Sequence, residues 1–442
     1  MTSARKRRSG FAKVLAFGAA AALGAAACGS SGSSGASSST TSSGSSSATM
    51  KTGPGVDAAT KTITIGDITA LSGIASVIGK PLDAGYKAYF DSVNAKGGID
   101  GWKVSFNTLD DAYTPQTHVQ DYNQMSNSVA FIGTSFGSPT TSAIESQAES
   151  AGVMLATVAQ DSAFVNHKIN LVIGTPYAVD VANGLYYLIK TKGVSNPKVA
   201  IFYQNDAYGG DGLKGFEAAK SAYGFQDVGH ATYNVTDTSF TAQATQLKNS
   251  GAQYVVVTAI PTAAATLIGT AAALGYHPQW ILQGPAWSEF LMTSTGTSAG
   301  KPTAVEQAMV GAWVLGFEAA WGDTSVPGMN DFLAVQKQSS PTQIPDGYYM
   351  YGYCQAQVQA AILKKAIENH DLTRAGILNA KENLGSFSWG GLIPDANYTS
   401  SNGPASRQTD IAQVDLNSPG FLKIVSNGFI ESSAAKSMTF SG

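Results

Sequence analysis

Residues Thr62 to Asp111 read TITIGDITALSGIASVIGKPLDAGYKAYFDSVNAKGGIDGWKVSFNTLDD. The stretch opens on Thr62-Ile63-Thr64-Ile65-Gly66, a β-branched run expected to be a buried strand, and breaks at the turn signal Leu71-Ser72-Gly73. Ala84, Ala88, Tyr89 and Val93 then recur at helical spacing between Leu82 and Val93. Ala95-Lys96-Gly97-Gly98 closes that helix with the glycines that relieve its last carbonyls. Gly98-Ile99-Asp100-Gly101 turns the chain into a second strand, Trp102 to Leu109, which halts at Asp110-Asp111. A strand, a crossover helix and a strand within about fifty residues make one unit of a parallel α/β sheet.

The same rhythm continues downstream. A helix from Pro115 to Ser128 leads to the strand Val129 to Gly133, and a helix from Thr140 to Ala151 leads to the strand Val153 to Thr157. After Pro176 come a helix over 177–192, a strand over 198–203, a helix over 211–223 and a strand over 228–235. A helix over 239–250, a strand over 254–258, a helix over 262–274 and the strand Trp280-Ile281-Leu282 follow. Alternation this regular means parallel sheets covered by helices. The break at Gly174-Thr175-Pro176 divides it into two runs of similar size. The expected architecture is α/β, with two doubly wound parallel-sheet lobes and a ligand cleft between them.

At 442 residues, 43% hydrophobic and 13% charged, the chain buries a large core and exceeds one ordinary domain. Its first 27 residues differ in kind: Arg5, Lys6, Arg7, Arg8 and Lys13 precede an apolar run from Val14 to Ala27. That run is short for a membrane span and reads as an export signal. Ala25-Ala26-Ala27-Cys28 resembles a bacterial lipoprotein processing box, with Ala25 where such boxes usually carry Leu, so Cys28 is the expected lipidation site. An ordinary secretory signal with an incidental cysteine is the alternative, and Arg7-Arg8 also permits twin-arginine export. From Gly29 to Thr49 only Ser, Gly, Thr and Ala occur, so residues 28–58 are expected to be a flexible tether.

Without the signal the chain has 22 Lys+Arg against 30 Asp+Glu, a net charge of −8, which does not favour nucleic acid. Cys354 has no partner once Cys28 is lipidated, and its apolar helical context marks it as a small buried residue. Five scattered histidines form no metal-ligand spacing, so neither metal nor cofactor is expected.

The opening stretch also carries a resemblance. Ile65-Gly66, Leu71-Ser72-Gly73, Gly79, the helix end Val93 to Gly101, and Asp110-Asp111 with Pro115 are similar, in order and spacing, to the start of the Leu/Ile/Val-binding proteins. These are type I periplasmic binding proteins, the extracytoplasmic solute receptors of branched-chain amino acid ABC importers. The resemblance implies further lobe crossings near Gly311-Ala312-Trp313 and Trp389-Gly390-Gly391. Lobe 1 is then expected over 59–175 and 312–390, lobe 2 over 176–311 and 391–430, and a tail over 431–442. It also implies partners: a small solute, an amino acid or a small carboxylate or amide, and the permease and ATPase of an importer.

In open α/β sheets ligands bind beyond the carboxyl ends of strands. The loop Gly133-Thr134-Ser135-Phe136-Gly137-Ser138-Pro139-Thr140-Thr141 joins a strand to a helix, and its helix start suits a carboxylate unless its hydroxyls merely cap the helix. The resemblance assigns the carboxylate contact to Ser138, places Ser72 in the ligand-binding set, and gives the ammonium contacts to Ala159 and Asp161, where a hydroxyl residue is usual at the second position. Asp161 is either a replacement charge partner or an exposed loop acid. In Asn205-Asp206-Ala207-Tyr208-Gly209, Tyr208 matches the tyrosine that closes over the ligand. Ile78, Ile260 and Ala286 stand where the family carries polar contacts, Ala286 in place of an acid, so the cleft is expected to be unusually apolar. Trp287 is an aromatic wall or a core residue. If Asp161 does not take the acid's role, the ligand has no ammonium to satisfy.

Two other classes share this sequence. Gly133-Thr134-Ser135-Phe136-Gly137 satisfies G-x-S-x-G, the pattern of a hydrolase with Ser135 as nucleophile. His277 and His370 are the available later bases, and neither follows a strand as a triad base should. A ligand-sensing receptor would have the same fold as a transport protein.

Overall fold

A computed structural model describes residues 49–316, 318–398 and 406–440, all of one compact unit. The export signal, Cys28 and the tether through residue 48 lie outside these residues.

The β-branched run of the opening stretch becomes the strand Thr62–Thr69. It pairs in parallel along its whole length with Lys103–Asp110, from Thr62 opposite Lys103 to Thr69 opposite Asp110. On its other side it pairs with Ile132–Phe136, followed outward by Leu155–Val158 and Asn170–Leu171. The crossover helix is Ser76–Ala95, longer at its start than the expected Leu82, because Pro81 lies inside it and does not begin it.

The second sheet has seven strands. Their order is Leu422–Ile424, Asp410–Val414, Trp313–Gly316, Gln279–Gln283, Tyr254–Thr258, Lys198–Gln204 and Gln226–Tyr233. The five from Trp313–Gly316 to Gln226–Tyr233 run parallel, and two strands from the chain's tail continue the sheet at its edge, Asp410–Val414 antiparallel to Trp313–Gly316 and Leu422–Ile424 antiparallel to Asp410–Val414. In both sheets the chain lays one strand to one side of the first and then reverses to the other side, creating a switch point at the carboxyl ends.

Four expected boundaries move. Trp313–Gly316 pairs with Gln279–Gln283 and with Asp410–Val414, so the strand after residue 312 belongs to lobe 2. Ala396–Asn397 pairs with Ser386–Phe387, and the Tyr398 hydroxyl donates to the Val172 carbonyl, so 391–398 stays with lobe 1. Lys51–Thr52 pairs with Asp371–Leu372, and Val56–Asp57 with Thr62 and Ile63, so the last residues assigned to the tether are backbone-paired into lobe 1. The tail is docked: Ser433–Ser437 is helical, Ser432 N–H donates to Asn183 Oδ1 and Ala434 N–H to the Tyr223 hydroxyl.

The long helix Gly347–Glu368 returns to lobe 1 and crosses Ser76–Ala95 at small residues. Asp346 caps it, accepting from the N–H groups of Tyr348 and Tyr349, and Cys354 is buried inside it. Ile78, Leu82 and Met350 of this helix pair face the space between the two sheets.

Candidate ligand cavity

The carboxyl ends of both sheets face one cavity, which with its mouth encloses about 1340 Å³. Its walls are mainly apolar and aromatic, with Ile78, Phe136 and Val158 from lobe 1 and Ile260, Trp287 and Leu315 from lobe 2.

Three of the six residues expected at the site line this cavity. Ser138 begins the helix Ser138–Ala151, is 1% exposed, and its Oγ has no hydrogen-bond partner. The preceding Gly137 has φ +92°, and a Cβ there would lie 2.4 Å from the Tyr113 ring, so only glycine lets this helix start meet the cavity. Free N–H groups and an unpaired hydroxyl at a helix N-terminus suit an anion. Tyr208 is buried, its ring 4.7 Å from that of Tyr177, and its hydroxyl donates to Gln283 Oε1 at 2.7 Å. Trp287 lines the wall, and its carbonyl accepts from the Tyr348 hydroxyl at 2.6 Å.

Ser72, Ala159 and Asp161 do not line it. Ser72 N–H donates to Asp110 Oδ1, tying the loop after the first strand to the end of the second. The Ala159 carbonyl accepts from Thr157 Oγ1. Asp161 accepts from Ala163 N–H, capping the short helix Ser162–Phe164, and it faces Asp211 of lobe 2. Burial, and after it the Asp211 carboxylate, pushes its carboxyl up to about 7. Asp161 is thus neither an exposed acid nor a wall of the cavity.

The structure adds residues that the sequence did not single out. Tyr113 lines the cavity edge-on to Phe136, with ring centroids 5.7 Å apart. Ala112 and Tyr113 have φ of 48° and 61°, two successive non-glycine residues in left-handed backbone. The paired aspartates hold them: Asp110 accepts from Ala112 N–H and Asp111 from Tyr113 N–H. Across the cleft, Gln204 Nε2 donates to the Tyr113 hydroxyl at 3.2 Å, and Gln204 Oε1 accepts from Tyr233, whose hydroxyl accepts from Ile260 N–H. Asp110-Asp111 was the only available signal, and it marked a strand end. Tyr113→Phe keeps the ring and removes this interlobe bond, worth about 1 kcal/mol. Solute dissociation measured by stopped flow should speed up roughly fivefold; an unchanged rate would show that the bond does not help hold the cleft shut.

Ser135 does meet a histidine, though neither of those considered from sequence. His118 Nε2 lies 3.0 Å from Ser135 Oγ, and His118 Nδ1 lies 2.7 Å from Asp111 Oδ2. All three side chains are fully buried and none lines the cavity, while Ser135 Oγ also bonds Thr141 Oγ1. No substrate carbonyl reaches this serine, so the series fixes the loop leading to Ser138 and performs no acyl transfer. His277 and His370 are exposed.

Residues 62–420 match the family described as periplasmic binding protein. A fatty acid ABC transporter substrate-binding protein from Thermomonospora curvata is 29% identical, with a TM-score of 0.82 over 89% of this chain and 97% of that one. A branched chain amino acid ABC transporter from Thermus thermophilus with bound valine shares the fold, with a TM-score of 0.73 at 16% identity over 85% of this chain and 98% of that one. Leu/Ile/Val-binding protein homolog 7 of Brucella abortus is 24% identical over 324 residues, 70% of this chain and 79% of the relative. Homolog 3 of Brucella melitensis is 27% identical over 218 residues, 45% of this chain, and the match spans about half of that relative, 54%.

Proposed function

The chain belongs to the Leu/Ile/Val-binding type I periplasmic binding protein family, and from that premise we propose that it captures an apolar, carboxyl-bearing solute in its interlobe cavity for an ABC importer. Its family is one of extracytoplasmic solute binders and not of enzymes. The observation that carries the ligand class is the apolar cavity closed at one point by the helix start at Ser138, whose hydroxyl has no partner. A carboxylate there gains a charge-assisted contact with the helix terminus, while the apolar body fills the rest of the cavity. The class includes branched-chain amino acids and fatty acids, the ligands named for relatives of the same fold. The solute touches both lobes, so it favours the closed form by its differential affinity.

We further propose that Cys28 carries a lipid anchor, that the tether lets the lobes stand off the membrane, and that a permease and ATPase receive the solute. No helix among the described residues is long and apolar enough to cross a membrane.

The test is calorimetric titration of protein unfolded and refolded to strip bound solute, with leucine, phenylalanine and dodecanoate. Micromolar or tighter binding of at least one is expected. Binding of none of them, alongside binding of a sugar or another solute without a carboxyl group, would overturn the ligand class.

A further inference from the structure

The two lobes also meet outside the solute cavity. Asp211 belongs to the lobe 2 helix Ala207–Tyr223, is fully buried, and reaches the lobe 1 segment that follows the strand Leu155–Val158. Its Oδ2 accepts from Ser162 N–H at 3.1 Å, and its Oδ1 accepts from the Ser162 hydroxyl. Within its own lobe it accepts from Ala178 N–H at 3.1 Å and from Lys214 Nζ at 3.3 Å. Two of the four donors on this carboxylate therefore come from across the seam. Asp161 caps the same turn, Ser162–Phe164, from inside lobe 1. Two acids thus meet here, and the donors gathered on Asp211 offset their repulsion.

The C-terminal tail crosses the same seam. Asn183 and Tyr223 fix its helix Ser433–Ser437 to lobe 2, and Arg407 donates to the Ala435 carbonyl. Its end lies on lobe 1, where Asn166 Nδ2 donates to the Phe440 carbonyl, while the Arg407 guanidinium sits over the Phe440 ring, 4.9 Å from its centroid. Between Asp211 and the tail lies a recess of about 530 Å³ with its mouth, lined by Ser162 and Ala163 of lobe 1, Ala178 and Lys214 of lobe 2, and Met438 and Phe440 of the tail. None of these residues lines the solute cavity. Parting the lobes here withdraws both Ser162 donors from the Asp211 carboxylate. Charge-assisted bonds are roughly twice as strong as neutral ones, so they outweigh the contact of the exposed Asn166, which water replaces at small cost.

We propose that Asp211 and the tail Ser432–Phe440 form an interlobe clasp, with Asp211 the positioning residue that sets how readily the lobes part and the tail a strap across the seam. This rests on the reading that the lobes close around a solute. A contact made only in the closed form enlarges the closed population before any solute arrives. Because the clasp touches no solute, it slows release of every ligand alike and selects among none.

The test is small-angle scattering of the full protein, unfolded and refolded to strip bound solute, together with its unfolding temperature. Asp211→Asn and Ser162→Ala should each enlarge the radius of gyration, with the ratio of closed to open protein falling about fivefold or more in Asp211→Asn. Ser162→Ala should fall less, because its N–H remains, and Asn166→Ala least of all. A merely structural Asp211 would lower the unfolding temperature and leave the radius of the folded protein as it was. That result, or an unchanged radius in Ser162→Ala, overturns the clasp, and Ser162→Ala carries the test alone if Asp211→Asn does not refold. The measurement is read without solute, so failure of leucine, phenylalanine and dodecanoate to bind would remove the ligand class and leave this result standing.

Discussion

Asp111→Ala should lower the stability of lobe 1 by about 3 kcal/mol, the cost of leaving two buried donors unpaired. The fully buried Asp111 carboxylate accepts from the Tyr113 N–H and lies 2.7 Å from the His118 ring nitrogen. Alanine removes both contacts and leaves the imidazole without its partner between strand and helix. The change also releases the two left-handed residues Ala112 and Tyr113, whose strain persists only while surrounding contacts impose it. Tyr113 is a wall of the cavity, so solute affinity should fall together with the unfolding temperature. Asp111→Asn, which keeps an acceptor for Tyr113 N–H, should fall between the two. Calorimetric unfolding and solute titration on the same samples provide the check. A variant with unchanged unfolding temperature would show that the Asp111–His118–Ser135 series is dispensable to the loop that leads to Ser138.

Gly85→Val should be at least as damaging, for a steric reason. Where Ser76–Ala95 crosses Gly347–Glu368, a Cβ on Gly85 would lie 1.9 Å from the Tyr349 carbonyl oxygen, and one on Gly352 would lie 2.0 Å from that of Leu82. Both obstacles are backbone, so neither can swing aside, and the helices must separate by more than an ångström. Overpacking of this kind costs about 1–3 kcal/mol or more. The consequence reaches the cavity, because Ile78 and Leu82 on one helix and Met350 on the other line it. We expect Gly85→Val to lose about 3 kcal/mol and to weaken solute binding. Pairing it with Gly352→Ala should not restore either property. Retention of the wild-type unfolding temperature by Gly85→Val would mean that the crossing has room the structure does not show.

Much of this architecture was legible because it is written in local periods. Ile63 and Ile65 alternate on a strand, Ala84, Ala88 and Tyr89 repeat on a helix, and each pattern records which side of one element is buried. The site was legible where the fold assigns a position to it. Ser138 follows a strand and begins a helix, and Tyr208 lies in the first turn of the helix Ala207–Tyr223 after the strand Lys198–Gln204, so both could be placed at the cleft before any side chain was located. Asp161 shows where such placement stops. It lies just past a strand end, as expected, but the helical turn Ser162–Phe164 directs its carboxyl to its own backbone.

The sequence by itself therefore determined the class of fold, its two runs of alternating elements, and the loops from which a ligand site had to be built. Only the tertiary structure decided which side chains meet. Tyr113 finds Gln204 across the cleft, and Ser135, behind the cavity wall, finds His118 and not His277 or His370. The physical reason is that periodicity encodes burial along one segment, whereas a partner is set by how two distant segments are packed together. Tyr113 and Gln204 are 91 residues apart, and no pattern within either segment refers to the other.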